Sequence, residues 1–396
     1  MTKSPEAISS KTRPGAAKRA DLGAAGIMAT VKRVLIIGGY GNFGSFIAAS
    51  LAPEPGIRLI IAGRSQKKAE ALVAGLKGPN PPQAAALDIN AGLAEALADI
   101  APDLVIHTSG PFQAQGYEVA RTCLARGCAY IDLADGRDFV RGITALDRDA
   151  RDRGTLVISG ASSVPCFTSA LVDHYLGAFN TLEALDYGIT TAQKTPRGLA
   201  TTAAILSYTG KRFQALADGK PVHIHGWQNL HARNYPGLGR RWLGNCDVPD
   251  LALFPERYPN LKTLRFYAGL ELPPMHFGLW ALSWLVRIGL IKNLGKAAPL
   301  MLKAAHGFDW LGSDRSGFHM ELSGRDENGG RKKIIFELTA GSGDGPHIPC
   351  IPAILLARKF AAGRLDAVGA FACMGFITAG EILDALAELD INWSER

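Results

Sequence analysis

Three glycines spaced G-x-G-x-x-G, namely Gly39, Gly41 and Gly44, have a spacing that suits binding a pyrophosphate. They follow a short apolar run (34–37) and precede an apolar-rich stretch (45–51), so the segment reads strand, glycine turn, helix. In such a turn the first glycine permits a tight bend and the second lets backbone N–H groups approach a pyrophosphate. The third lets helix and strand pack closely. The phosphates then meet a helix N-terminus, whose unpaired N–H groups and dipole favour negative charge. Gly39, Gly41, Asn42, Phe43 and Gly44 are therefore expected to hold a dinucleotide.

The nucleotide is chosen about 20 residues further on, where an NAD site offers Asp or Glu to the ribose 2′-OH. Here the chain reads Ala62-Gly63-Arg64-Ser65-Gln66-Lys67-Lys68, with no carboxylate. Arg64 can stack on adenine and pair with a 2′-phosphate, Ser65 can donate to it, and Lys67 or Lys68 adds charge. For the two lysines a solvated helix turn is the competing reading. NADP(H) is the expected cofactor.

Behind these residues, strands are expected at 34–37, 58–62, 83–87, 104–107, 129–133 and 155–159, alternating with helices at 45–51, 66–76, 92–100, 114–126 and 139–153. That alternation implies right-handed crossovers and a doubly wound parallel sheet, the Rossmann arrangement. Its ligands lie outside the carboxyl ends of the strands, at the switch between the first and fourth. Asp88 at the end of the third strand and Ser109, Gly110, Pro111 and Phe112 after the fourth join the expected cofactor set. Pro111 and Phe112 are read either as a nicotinamide wall or as ordinary packing.

Hydride transfer asks the protein for alignment and a proton donor. Asp132 and Asp135 follow the fifth strand, where either could hold a substrate amine or a ribose, or Asp135 could cap a helix. Ser162 and Ser163 could donate to a carboxylate or cap a helix, and Cys166 reads as a buried thiol. His347, three residues after Asp344, is the expected general acid, because imidazole exchanges protons near neutrality. His347, Asp135 and Ser163 form the expected catalytic set. A Tyr-x-x-x-Lys pair is missing, since Tyr117 and Tyr208 are followed four residues on by Arg121 and Arg212. His223, His225 and His231 lack the Cys or carboxylate that would complete a ligand set, so no metal is expected. Arg233, Arg240 and Arg241, in an apparently loop-rich segment, read as a carboxylate clamp or as solvated charge.

From about residue 183 the pattern changes. Strands at 185–190, 261–269, 317–324 and 332–340 mix with helices at 199–208, 277–291 and 295–305, and Asp326-Glu-Asn-Gly-Gly330 is a hairpin signal. The expected partition is a disordered basic tail (1–30), a nucleotide domain (31–175 plus 345–396) and a second α+β domain (176–344) on a mainly antiparallel sheet. The last fifty residues read as helical.

With 47% hydrophobic and 20% charged residues, the 396-residue chain can bury a sizeable core. Its formal charge of +7 is partly due to five basic residues against two acidic ones before residue 28. The remaining excess suits anionic small molecules and is too diffuse for nucleic acid. Six cysteines without CxxC spacing fit free thiols in a reducing cytoplasm. The apolar stretch 277–291, interrupted by Arg287, falls short of the roughly 20 residues a membrane span needs.

Several motifs together resemble the saccharopine dehydrogenase-like NADP-binding reductases: Val105-Ile-His-Thr-Ser-Gly-Pro-Phe112, Tyr117 with Cys123, Gly127-Cys-Ala-Tyr-Ile-Asp-Leu-Ala-Asp135, Ile158-Ser-Gly-Ala-Ser-Ser-Val-Pro165 and Gly343-Asp-Gly-Pro346. The resemblance is clear over 33–175 and patchier beyond. It implies a Rossmann domain, an inserted substrate and dimerisation domain, a C-terminal return, a homodimer, and a nicotinamide near Ser109–Phe112. Lysine-pathway members carry a Gly-Leu-Asp-Pro-Gly-like turn where this chain has Gly160-Ala-Ser-Ser-Val-Pro165, which points away from saccharopine itself. The expected reaction is NADP(H)-dependent hydride transfer at a C–N bond of a small carboxylate-bearing substrate. The alternatives are an enoyl or carbonyl reductase acting on a hydrophobic substrate, and a non-catalytic nucleotide-binding scaffold at a membrane surface.

Overall fold

Short, largely apolar strands form where both faces of a sheet are covered by helices, and three strands of the first sheet are buried at every position. The computed structural model describes residues 30–396, and the expected disordered tail lies outside the described residues. The chain runs β1 (Lys32–Ile37), α1 (Asn42–Leu51), β2 (Ile57–Gly63), α2 (Gln66–Val73), β3 (Gln83–Ala86), α3 (Leu93–Ile100) and β4 (Leu104–His107). It continues with α4 (Glu118–Ala125), β5 (Ala129–Asp132), α5 (Arg137–Gly142), α6 (Asp147–Asp152), β6 (Leu156–Ser159) and α7 (Thr168–Leu176). The single helix expected over 139–153 is instead α5 and α6 joined by a short 3-10 turn, Ile143–Leu146.

A second set follows: β7 (Thr181–Thr191), α8 (Leu199–Tyr208), β8 (Arg212–Ala217), β9 (Lys220–His225), β10 (His231–Tyr235), β11 (Gly239–Asn245), α9 (Asp250–Arg257) and β12 (Thr263–Leu270). Then come α10 (Pro273–Arg287), α11 (Ala298–His306), β13 (Ser316–Arg325), β14 (Arg331–Ala340), α12 (Ile351–Ala361), β15 (Gly369–Ala372), α13 (Ala379–Leu386) and β16 (Ile391–Glu395).

The first sheet has the order β15-β6-β5-β4-β1-β2-β3, with every pair parallel. Strand order reverses between β1 and β4, which opens the switch-point crevice above their carboxyl ends. The second sheet, β10-β11-β12-β7-β13-β14-β16, is antiparallel except for the pairing of β12 with β7. As expected, residues 326–330 turn β13 into β14.

Two expectations need correction. The segment read as loop-rich contains β10 and β11, and its arginines are neither a clamp nor simply solvated. Arg233 pairs with Glu321 and Glu337 across the sheet, Arg241 pairs with Glu271, and Arg240 lies over the Trp242 ring. Strands stitched by cross-strand charges lack the apolar alternation that marks a strand in sequence. The last fifty residues also contain two strands. β15 extends the first sheet beyond β6, α12 packs on α1, and β16 pairs with β14 of the second sheet. A partition into 31–175 plus 345–396 and 176–344 remains a proposal, and β16 is the element that crosses it.

The turn after β1 depends on glycine. Gly38 has φ +78°, and a Cβ there would lie 2.5 Å from Ser109 Oγ. The left-handed conformation thus falls one residue before the glycine expected to make the bend. At Gly44 a Cβ would run into the Gly38 carbonyl and lie 2.7 Å from Gly39 Cα. The obstruction is backbone, which cannot swing aside. We therefore expect Gly44→Ala to lower stability by about 1–3 kcal/mol and to weaken NADPH binding, as read by chemical unfolding and nucleotide titration.

Candidate active site

The N-terminus of α1 is open: its N-cap, Gly41, contributes no side chain, and the first turn has no acid. The first N–H groups of such a helix have no intrahelical partner and can face phosphate. Gly41 and Asn42 are exposed, Phe43 is half-buried, and Gly39 and Gly44 are packed beneath them. A Cβ on Gly39 would lie 2.8 Å from Ile61 Cγ2, so β2 passes directly under the turn. These residues fit a dinucleotide pyrophosphate.

At the end of β2, Arg64 is exposed and has no ion pair among the described residues. Ser65 caps α2 by accepting from Lys68 N at 3.4 Å. Its own N–H donates to the Tyr40 hydroxyl at 3.0 Å, while the Tyr40 ring covers Gly63 so closely that a Cβ there would be 2.6 Å away. Tyr40, the unspecified residue of the glycine motif, thus fixes the segment that carries Arg64, a role with no sign in the sequence. Asp88 binds Asn90 N at 3.0 Å, which uses one of its oxygens to shape the turn after β3.

Above β4, the Thr108 hydroxyl donates to the Ile37 and Gly38 carbonyls at 2.9 and 3.2 Å, tying this turn to the glycine turn. Gln115 Nε2 donates to the Ser109 carbonyl at 2.6 Å. Gly110 and Pro111 are partly open, whereas Phe112 is buried against His107 and Phe139. Its ring therefore supports the turn from below, and the open wall is Ser109–Pro111.

Beneath that wall is a buried polar frame. Asp132 Oδ1 accepts from Ala134 N, Ser159 Oγ and Gly160 N at 2.8–2.9 Å, pinning the end of β5 to β6. Asp132 Oδ2 has no partner among the described residues, and burial pushes this carboxyl up to about 6. His107 Nδ1 meets the Tyr130 hydroxyl at 3.0 Å, and burial holds its imidazole down at about 4. Asp132 is thus buried, with Oδ1 committed to joining β5 to β6.

Asp135 differs. Oδ1 accepts from Gln113 Nε2 at 3.0 Å, which leaves Oδ2 open. Protein crowds this carboxyl on most sides and raises it above the ordinary carboxylate range, although the side chain still meets solvent, which limits the shift. Its charge is felt at Tyr208 and Cys246, whose hydroxyl and thiol lie 3.1 Å apart. Burial, more than that charge, raises both groups. Asp247, paired with Arg137, is also raised chiefly by burial. These residues come close to one another where the strand ends of the first sheet meet α8 and the end of β11. The N-terminus of α8 overhangs the glycine turn: a Cβ on Gly198 would be 3.9 Å from Asn42 Nδ2, and one on Gly110 would be 3.7 Å from Ala200 Cβ. Tyr208 and Cys246 come from elements distant in sequence, and no local signal marks them.

The other candidates are placed elsewhere. The His347 ring stacks on Phe46 at 3.9 Å, with Nδ1 3.0 Å from Asp344 Oδ1, so it joins 345–350 to α1. Ser163 opens the turn Ser163–Phe167, and Cys166 is buried. No hydrogen bond links His347 or Ser163 to Asp135 among the described residues. His223 and His225 share one face of β9, while His231 on β10 packs on Tyr267. Among the described residues no group of His, Cys, Asp and Glu is placed to hold a metal, and no helix is long and apolar enough to cross a membrane.

A doubly wound sheet with an open phosphate cradle and a cationic end to β2 defines a nicotinamide-nucleotide oxidoreductase that uses NADP(H). Residues 34–158, about a third of the chain, match the family model described as the saccharopine dehydrogenase NADP binding domain, and this segment is a domain of that type. Among solved structures, the chain is similar to saccharopine dehydrogenase (L-Glu forming) from Saccharomyces cerevisiae, with TM-score 0.64, 14% identity, and coverage of 92% of this chain and 100% of that one. At that identity the likeness concerns the fold. Looser matches are an amine dehydrogenase from Mycobacterium smegmatis (TM-score 0.44, 12% identity, 86% of this chain and 94% of that one) and a meso-dapdh mutant with DAP from Clostridium tetani (0.44, 13%, 90% and 98%). They are too distant to carry an argument. A search of curated proteins found none that matches.

Two tests follow from this geometry. Arg64→Ala is expected to weaken NADPH binding roughly tenfold or more, about 1.4 kcal/mol, while leaving NADH little changed in a fluorescence titration. For Asp132 the folded carboxyl titrates at about 6, above its ordinary 3.8, so the fold favours the protonated form. Its stabilising contribution is full below pH 3.8 and is lost as pH rises through about 6. Relative to Asp132→Asn, the wild type should therefore lose about 3 kcal/mol over that window, measured by urea unfolding as a function of pH.

Proposed function

We propose that the protein transfers a hydride between NADP(H) and a C–N bond, reducing an imine or oxidising a secondary amine in a small carboxylate-bearing substrate. The observation that carries this reading is Asp135, a solvent-facing carboxylate with one open oxygen, beside the Ser109–Pro111 wall. A carboxylate so placed pairs with a substrate ammonium or iminium and repels an anionic reacting centre. The cofactor residues we assign are Gly39, Gly41, Asn42, Phe43 and Gly44 for the pyrophosphate, Arg64 and Ser65 for the 2′-phosphate, Asp88 for the adenosine end, and Ser109, Gly110 and Pro111 around the nicotinamide, with buried Phe112 supporting that turn from below.

When bound, NADPH supplies the hydride that the imine carbon accepts. Asp135 holds the nitrogen, and its raised carboxyl, protonated more readily than an ordinary one, delivers a proton there. Gln113 fixes one Asp135 oxygen and leaves the other open. The overhanging α8 excludes water, and its uncapped N-terminus offers backbone N–H groups to a substrate carboxylate. With Arg233 and Arg241 already paired to glutamates, this helix end takes the role that an arginine clamp would have had. In this reading Ser163 supports the loop beside the site and His347 anchors 345–350 on α1. A homodimer is also part of the reading: β16, an exposed edge strand, offers a second copy unpaired backbone groups. So is a cytoplasmic setting, which suits six free thiols.

The test is a screen of NADP+ reduction with secondary amino-acid amines, and of NADPH oxidation with 2-oxo acids plus amines. Turnover of an amine or imine supports the proposal. Turnover confined to enoyl or carbonyl substrates, or tight nucleotide binding without turnover, would overturn it. Once a substrate is found, Asp135→Asn should lower kcat/KM by about 100-fold or more. In imine reduction, the fall in rate as pH rises through the titration of this raised carboxyl should disappear in that variant.

A further inference from the structure

Eight of the thirteen exposed large apolar side chains among the described residues fall within 284–311. Trp284 and Ile288 end α10, Leu290 follows it, Leu300 lies on α11, and Phe308 and Trp310 close the segment. Leu290, Leu300 and Trp310 are 72%, 71% and 75% exposed, values far from those of side chains seated on their own core. Scattered exposed apolar residues need no explanation, but a contiguous group does.

The group is contiguous because α8 is its floor. The end of α10 packs on the turn after α8, where a Cβ on Gly210 would meet Val286 Cβ at 2.7 Å, and α11 packs on α8 itself. The charges around the patch have one sign. Arg287, Lys292, Lys296 and Lys303 lie among the apolar residues, and the three lysines have no ion pair among the described residues. The only acid between 284 and 311 is Asp309, which is already paired with Arg197 and His306.

We infer that this face docks on an anionic phospholipid surface, with the aromatic and aliphatic side chains entering the headgroup boundary and the lysines meeting lipid phosphates. Amphipathic helical segments with Lys or Arg beside Trp, Phe and Leu bind membranes in this way. Charge decides between a lipid surface and a second copy of the chain. A two-fold interface would set this patch against itself and bring the lysines of both copies together with no free carboxylate to meet them. A negative bilayer neutralises them. Docking would also place lipid close to the proposed active site, because Gln193 and Arg197, just before α8, are held by Asp309 at the edge of the patch. The inference does not depend on the substrate class proposed above.

The test is co-sedimentation of the full chain with phosphatidylcholine vesicles, with and without phosphatidylglycerol. Binding is expected only to the anionic vesicles, weakening as salt is raised. Leu300→Ser combined with Trp310→Ser should lower partitioning at least tenfold, as should Lys292→Glu combined with Lys296→Glu. All four side chains are exposed, so NADPH affinity should stay unchanged and report an intact fold. Failure to sediment with anionic vesicles, equal binding to neutral ones, or binding unaffected by either double variant would overturn the proposal. So would a lipid-free dimer, seen by ultracentrifugation, that Leu300→Ser with Trp310→Ser dissociates.

Discussion

The architecture depends on how closely α1 approaches the turn after β1. Gly44 on the helix faces the backbone of Gly38 and Gly39 with no side chain between them, and Gly38 takes a left-handed conformation against Thr108 and Ser109. Three backbones thereby converge. The helix N-terminus can point its N–H groups into the crevice only because nothing bulkier than hydrogen separates it from the strand. The Thr108 hydroxyl, bonded to the Ile37 and Gly38 carbonyls, then sets the height of the β4 turn relative to the phosphate cradle.

The buried frame of Asp132, Tyr130 and His107 extends that constraint across the sheet. A carboxylate held without a counter-charge is a costly way to join β5 to β6, but its three acceptor bonds satisfy donors that an apolar residue would leave unpaired. The same framework leaves Asp135, three residues later, outside it. Burial therefore separates two neighbouring carboxyls into an enclosed one, Asp132, and a solvent-facing one, Asp135.

The candidate site is completed by parts drawn from far along the chain. α8, Tyr208 and Cys246 reach it from the second sheet, while α12 and β15 return to brace α1 and β6. The same α8 carries the apolar, lysine-rimmed surface on its outer side. α8 thus lies between the proposed active site and the proposed docking face.

Local sequence determined six of the seven strands of the first sheet, the glycine turn and the cofactor preference, because each depends on residues adjacent in the chain. Apolar runs make buried strands, glycine spacing makes the phosphate turn, and Arg64 and Ser65 stand where a carboxylate would select NAD. It named His347 as general acid but gave no sign that the ring would bond Asp344 and stack on Phe46. It also misread 231–245, where strands are held by charges whose partners lie up to a hundred residues away. The tertiary structure alone decided which aspartate is buried and which faces solvent, which arginines are already paired, and that Tyr208 and Cys246 meet. Each of these depends on burial or on a long-range partner, and neither is encoded in the spacing of neighbouring residues.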